Sequence, residues 1–136
     1  MNRLALLLAL LSGAAASHAA DLTIKVDGAH GDGGAIRMAL FDSADRFLKR
    51  PLQSASAAVS EGGATFTLKD LPAGQYAIAV HHDANDNGKL DRNMMDIPLE
   101  TTGFSNDAPG NMGPPAFEAA RFALPAEGKA IRITLR

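Results

Sequence analysis

The 136-residue chain has no cysteine and no tryptophan, and only one tyrosine. Without cysteine there are no disulfides, no thiolate metal ligands and no lipid attachment at an N-terminal cysteine, so a domain of this size must be held by its own core. Positive charge is not in excess either, with 13 Lys and Arg against 15 Asp and Glu, which argues against nucleic acid as a partner. Beyond residue 20 no apolar run reaches the roughly 20 residues of a membrane-spanning helix, and no basic amphipathic stretch occurs.

The N-terminus has the pattern of a secretory signal over residues 1–19. Asn2 and Arg3 make a polar, positive start, Leu4 to Leu11 form an apolar run too short to span a bilayer, and Ser17-His18-Ala19 places small residues where a signal peptidase inspects them. A cut before Ala20, or one residue later, is expected to release a single domain over 20–136 into the periplasm or the medium. Loss of Arg3 leaves 12 basic against 15 acidic residues, a net charge of about −3.

Most of the remainder alternates with period two, which predicts strands. Leu22, Ile24 and Val26 share one face, as do Ile36, Met38 and Leu40. Further strands are expected over Leu52–Val59, Ala64–Lys69, Gln75–Val80, Ala119–Leu124 and Ala130–Leu135, with a hairpin at Gly62-Gly63 and one capped helical turn at Ser43–Leu48 closed by Pro51. Seven short strands and no long helix predict an all-β, two-sheet sandwich with a long Asp/Asn-rich loop after the fifth strand. From Asp83 to Asn111 that loop holds ten Asp or Asn residues, so turns, a ligand or a metal must order it.

Several motifs occur together: Leu71-Pro72-Ala73-Gly74-Gln75-Tyr76, His82-Asp83 with Asn85 and Asn87-Gly88-Lys89-Leu90-Asp91, Ile97-Pro98, Gly103-Phe104-Ser105-Asn106 and Met112-Gly113-Pro114-Pro115-Ala116-Phe117. In combination the chain resembles the bacterial family called domain of unknown function 2141, over essentially the whole mature length. The resemblance implies export and an immunoglobulin-like or prealbumin-like sandwich, and it brings no established activity. One departure is Thr102, where an aromatic is expected before Gly103.

The chemistry concentrates in the loop. Counted from Asp83, oxygen-bearing residues fall at the first, third, fifth and ninth positions (Asp83, Asn85, Asn87, Asp91), with Gly88 at the sixth and the Lys89 carbonyl at the seventh. These are the first nine offsets of an EF-hand calcium loop. Position twelve is Met94 instead of a bidentate glutamate and neither flank is helical, so the loop is not an EF-hand. A shortened calcium site needs Asp96, Glu100 or Asp107 to fold back, with affinity of roughly 10⁻⁴ to 10⁻³ M. The competing reading is a set of Asx turns in which Asp83 and Asn85 accept from nearby amides and Asn87-Gly88 forms the bend.

His82 continues the inward phase of Tyr76, Ile78 and Val80 and is expected as a packed, hydrogen-bonded histidine at the edge of the core, leaving His81 on the surface. Adjacent strand residues face opposite sides, so the pair does not readily hold one zinc or copper ion. Gly103-Phe104-Ser105-Asn106-Asp107 nearly matches a nucleophile elbow but lacks its last glycine and its strand-turn-helix setting, and the acidic loop offers no distinctive catalytic pair. Met94, Met95, Ile97, Leu99, Phe104, Met112 and Phe117 are expected to form a satellite core pinning the loop; exposed, they would make a contact surface.

The pattern therefore predicts an exported, non-catalytic binding or structural envelope module with a calcium-ordered loop, taking a protein or small-molecule partner through the Phe104 and Met112 region. The alternative is an envelope hydrolase or transition-metal protein using the acidic loop and His82.

Overall fold

The computed structural model describes residues 19–110 and 112–136. Apart from Ala19, the expected signal segment lies outside these residues. The chain is all-β with two sheets packed in a sandwich-like arrangement. Its strands are β1 (Ala19–Asp27), β2 (Ala35–Phe41), β3 (Gln53–Ala58), β4 (Ala64–Pro72), β5 (Gly74–Asp83), β6 (Thr102–Phe104), β7 (Phe122–Leu124) and β8 (Lys129–Thr134). The first sheet has the order β4-β1-β8, with β1 antiparallel to β4 and parallel to β8. The second has the order β3-β2-β5-β6, all antiparallel, and β7 pairs with the start of β5 beside β6.

Alternation sets which residues meet between the sheets. Leu22, Ile24 and Val26 from β1 and Ile36, Met38 and Leu40 from β2 are buried in one cluster with Phe66, Leu68, Tyr76, Ile78, Val80 and Ile133. Each large apolar side chain withdrawn from water in this way contributes about 1.5–3 kcal/mol. The Leu-Pro-Ala-Gly-x-Tyr motif is the crossing between the sheets from β4 to β5. Leu71 and Tyr76 are buried at its two ends, and the Tyr76 hydroxyl donates to the Pro72 carbonyl at 2.6 Å, so the one polar atom of the ring is satisfied as the ring is buried.

Among the described residues there are eight strands, not seven. Thr102–Phe104 is a strand that covers the free edge of β5 opposite Ala79–His81, and three residues are too few to show a period. The strand expected over Ala119–Leu124 is one helical turn, α1 (Phe117–Ala120), followed by the short β7. The Gly62-Gly63 hairpin is corrected as well. Ser60 and Gly63 close a tight turn, but β3 and β4 lie in different sheets. Gly62 takes a positive φ of 75° and Gly63 lies so close to Val26 that a Cβ would collide with its carbonyl. The glycines thus let the turn pass against β1 while changing sheets.

The outward face of the second sheet carries a satellite core at one end. Phe41, Ala77, Ala108, Phe117 and Ala120 are buried around Phe47, whose ring meets Phe41, Phe117 and Phe104 edge-on at centroid distances of 5.3, 5.8 and 6.4 Å. Phe47 is delivered by the turn after β2, where its N–H donates to the Ser43 carbonyl. Of the seven apolar residues expected to pin the loop, Phe117 is buried here and Phe104 packs against the cluster, whereas Met94, Met95, Ile97, Leu99 and Met112 are exposed.

Ser105 ties these parts together. It is fully buried, accepts from the Ile78 N–H at 2.9 Å and donates to the Ala120 carbonyl at 2.5 Å, bridging β5 and α1. Its hydroxyl is occupied by the backbone and is not presented as a nucleophile. Ser105→Ala leaves a buried N–H and a buried carbonyl unpaired and is expected to lower stability by about 1–3 kcal/mol; chemical denaturation of the variant against wild type measures it.

Candidate functional site: the Asp83 loop and the cleft it borders

Strand pairing builds the site. β5 ends at Asp83, and Arg37 of β2 lies directly opposite His81. Residues 37, 81 and 83 share the outward face because strand side chains alternate, so Arg37 reaches Asp83 as a diagonal cross-strand neighbour. Arg37 Nε donates to Asp83 Oδ2 at 2.6 Å and Arg37 Nη2 to Asp86 Oδ1 at 3.0 Å. Asp83 is fully buried. Its Oδ2 also accepts from the Gly88 N–H at 2.8 Å and its Oδ1 from the Asn87 N–H at 3.2 Å. The Arg37 hydrogen bond, reinforced by these two amides against the opposing effect of burial, holds the carboxyl below the usual range, and Arg37 is correspondingly raised.

The other candidate metal ligands are arranged differently. Asn85 Oδ1 accepts from the Asn87 N–H at 3.3 Å and Asn87 Oδ1 from the Lys89 N–H at 3.1 Å, which are Asx turns. Their amide nitrogens both donate to the Asp91 carboxylate at 2.8 Å. The side chains of Asn85, Asn87 and Asp91 are therefore brought together, while the Asp83 carboxylate is taken up by Arg37 and the Asn87 and Gly88 amides. Glu100 does fold back, as a closing ligand was expected to, but its two oxygens accept from the Ala84 and Asp91 N–H groups at 2.8 and 3.0 Å. Asp107 accepts from Thr134 N–H in the β8 region, and Asp96 pairs with Arg92 at the surface. A calcium ion held by Asp83 would have to displace a guanidinium from 2.6 Å, so the residues as placed do not fit that ion.

His82 is buried at the core's edge, with Nε2 at 2.7 Å from the Gly33 carbonyl. A carbonyl only accepts, so this nitrogen carries the proton. His81 is half-buried on the outward face instead of lying open at the surface, and its Nε2 is buried without a hydrogen-bond partner among the described residues. Burial pulls its imidazole below the ordinary value, against the attraction of Glu100, Asp83 and Asp91. Burial thus favours the uncharged ring, in which one nitrogen donates and the other accepts.

His81 lies in the wall of a cleft of about 1270 Å³ between the outward face of the second sheet and the long loop. Small residues of the sheet, Ala39, Ser56 and Ala79, give it depth, and Leu48, Met95, Ile97 and Met112 line its apolar rim. Met95 and Met112 are 79% and 105% exposed, so their flexible thioether side chains are open to contact. The Asp83 latch borders this cleft through Arg37 and Gly88. Sequence reasoning misses Arg37 and places His81 at the surface; the only signal of either role is a polar residue at an outward strand position.

Among known proteins, the model of a family described as "Uncharacterized protein conserved in bacteria", domain of unknown function 2141, matches residues 24–132. No curated protein and no solved structure matches.

The latch makes a pH prediction. Asp83 has a folded pKa depressed below the roughly 3.9 of an unfolded aspartate, so its contribution to stability is complete above that unfolded value and is lost as pH falls through the lower folded value. Melting curves between pH 7 and pH 2 should show a steeper acid loss for wild type than for Asp83→Asn, and Arg37→Met should flatten the same limb while Asp86→Asn, at the exposed arm of the pair, changes it little.

Proposed function

The chain belongs to the family of domain of unknown function 2141, and on that footing we propose that it is an exported, non-catalytic binding module acting in the periplasm or outside the cell, with the cleft over its second sheet as the binding site. The observation that carries this reading is the combination of a cleft of about 1270 Å³ with an apolar rim left open to water. A space of that size exceeds the roughly 300–1,000 Å³ that encloses a drug-sized molecule, and polar side chains, Arg37, Ser54, Ser56 and His81 among them, interrupt its apolar lining. The ligand is a molecule with an extended apolar body and polar groups that meet the polar side chains of the lining. Ordering of the loop by the Asp83–Arg37 latch and the Asx turns holds Met95 and Ile97 over the sheet.

Calcium ordering is the second reading, favoured by the convergence of Asn85, Asn87 and Asp91. It requires Asp83 to exchange Arg37 for the ion, and Lys89 to turn its carbonyl inward. Under the latch reading, the melting temperature is the same in chelator and in millimolar calcium for wild type and for Asp91→Ala; a calcium-dependent rise lost in Asp83→Ala and Asp91→Ala would replace the latch with a metal. The hydrolase and transition-metal alternatives centred on His82 have less support, since that ring is directed to Gly33 and not to the acidic loop.

The cleft itself is tested with the neutral apolar dye Nile red. Its fluorescence should rise on mixing with the mature protein, and the triple variant Met95→Ser, Ile97→Ser, Met112→Ser should bind at least about tenfold more weakly, because each lost apolar contact is worth on the order of 1 kcal/mol. The three side chains are exposed, so the melting temperature should hold. Equal dye binding by the variant would remove the cleft as the site.

A further inference from the structure

The two sheets end in several strand edges, and all but one carry features that discourage further pairing. β4 presents Lys69 and Asp70, has Asp70 at a positive φ of 58° and ends in Pro72. β8 presents Lys129 and Arg132, and beyond its end Arg136 exchanges two backbone hydrogen bonds with Thr102 of β6. β6 and β7 are three residues each. Charge, proline, irregular backbone and shortness are the usual means of blunting an edge. β3 has none of them. Gln53-Ser54-Ala55-Ser56-Ala57-Ala58 is six residues long, uncharged and in regular register with β2 from Gln53 to Ala58. Among the described residues it pairs with no strand on its other side.

We infer that β3 is the edge through which a second copy of this chain docks, pairing antiparallel with its own counterpart across a two-fold axis at Ala55. An antiparallel strand is self-complementary only where its sequence tolerates meeting itself. With the axis at Ala55, Ser54 meets Ser56 of the other copy, Gln53 meets Ala57 and Leu52 meets Ala58. No charge meets a like charge, the serines can exchange hydroxyl hydrogen bonds, and Leu52, 41% exposed in the single chain, gains an apolar neighbour. Pro51, which has no N–H, falls at the end of the ladder where none is needed. The second sheet would then run unbroken through both copies, and because Ser54 and Ser56 line the cleft, the clefts of the two copies would meet at the axis. This docking does not depend on what the cleft binds.

Six residues of edge bury less than the roughly 1,200–2,000 Å² of a standard interface, so the dimer is expected to be weak, with a dissociation constant on the order of 10–100 μM. Sedimentation velocity on the mature protein from about 5 to 500 μM should show monomer passing to dimer. Ser54→Lys with Ser56→Lys sets like charges opposite one another and should weaken association at least tenfold, with an unchanged melting temperature because both side chains are exposed. As the chain has no cysteine, a second measurement fixes the register: Ser54→Cys mixed with Ser56→Cys should cross-link faster on oxidation than either variant alone, and this decides the matter if the lysine variant fails to fold. A protein that stays monomeric across the range, a dimer indifferent to the lysines, or equal cross-linking in the mixture and the single variants overturns the inference.

Discussion

The pairing of Asp83 with Arg37 organises this molecule beyond its core. Removing a carboxylate completely from water is costly unless its charge and its lone pairs are met, and here one guanidinium and two backbone amides meet them. The two amides belong to Asn87 and Gly88, so the path of the chain after β5 is dictated by the carboxylate from which it departs. The Arg37 side chain, in turn, belongs to β2, which places the start of the loop over the sheet. Beyond Gly88 a second tier of contacts takes over, in which Asn85, Asn87 and Glu100 hold Asp91 and the return of the chain.

The same anchor explains why the outward face of the second sheet is divided. At one end Phe47 and Phe117 cover it as a small core. At the other the loop is held by polar contacts at its base, and Met94, Met95, Ile97, Leu99 and Met112 stay exposed. In the proposed binding role, a polar base combined with an apolar rim would let the rim yield to a ligand while the base remains fixed, since hydrogen-bonded charge is specific in direction and apolar contact is not.

Much of this was legible in the sequence. Period-two patterns in Leu22–Val26, Ile36–Leu40 and Tyr76–Val80 identify the inward faces because burial on one side of a sheet imposes that period, and the same phase places His82 at the core's edge. The carboxylates and asparagines of the loop also announced a place where side-chain oxygens gather. What the sequence could not disclose was the partner of Asp83, since Arg37 lies 46 residues away and the two meet only through the register of β2 against β5. Nor do residues carry a mark of sheet membership, so a glycine turn that joins two sheets looks like one that joins two neighbours. Short elements escaped for a related reason: β6 and β7 exist because β5 has an edge to be covered, not because three residues prefer to be strand.

The parallel pairing of β1 with β8 bears on how the chain reaches this state. β1 is the middle strand of the first sheet, and one of its two partners is β8, with Leu22 opposite Lys129. The sheet is incomplete until β8 is present, and closing it joins segments roughly a hundred residues apart in the sequence. Such a topology makes folding slow and cooperative, which suits the proposed export, since a chain must stay threadable until its far end has crossed a membrane.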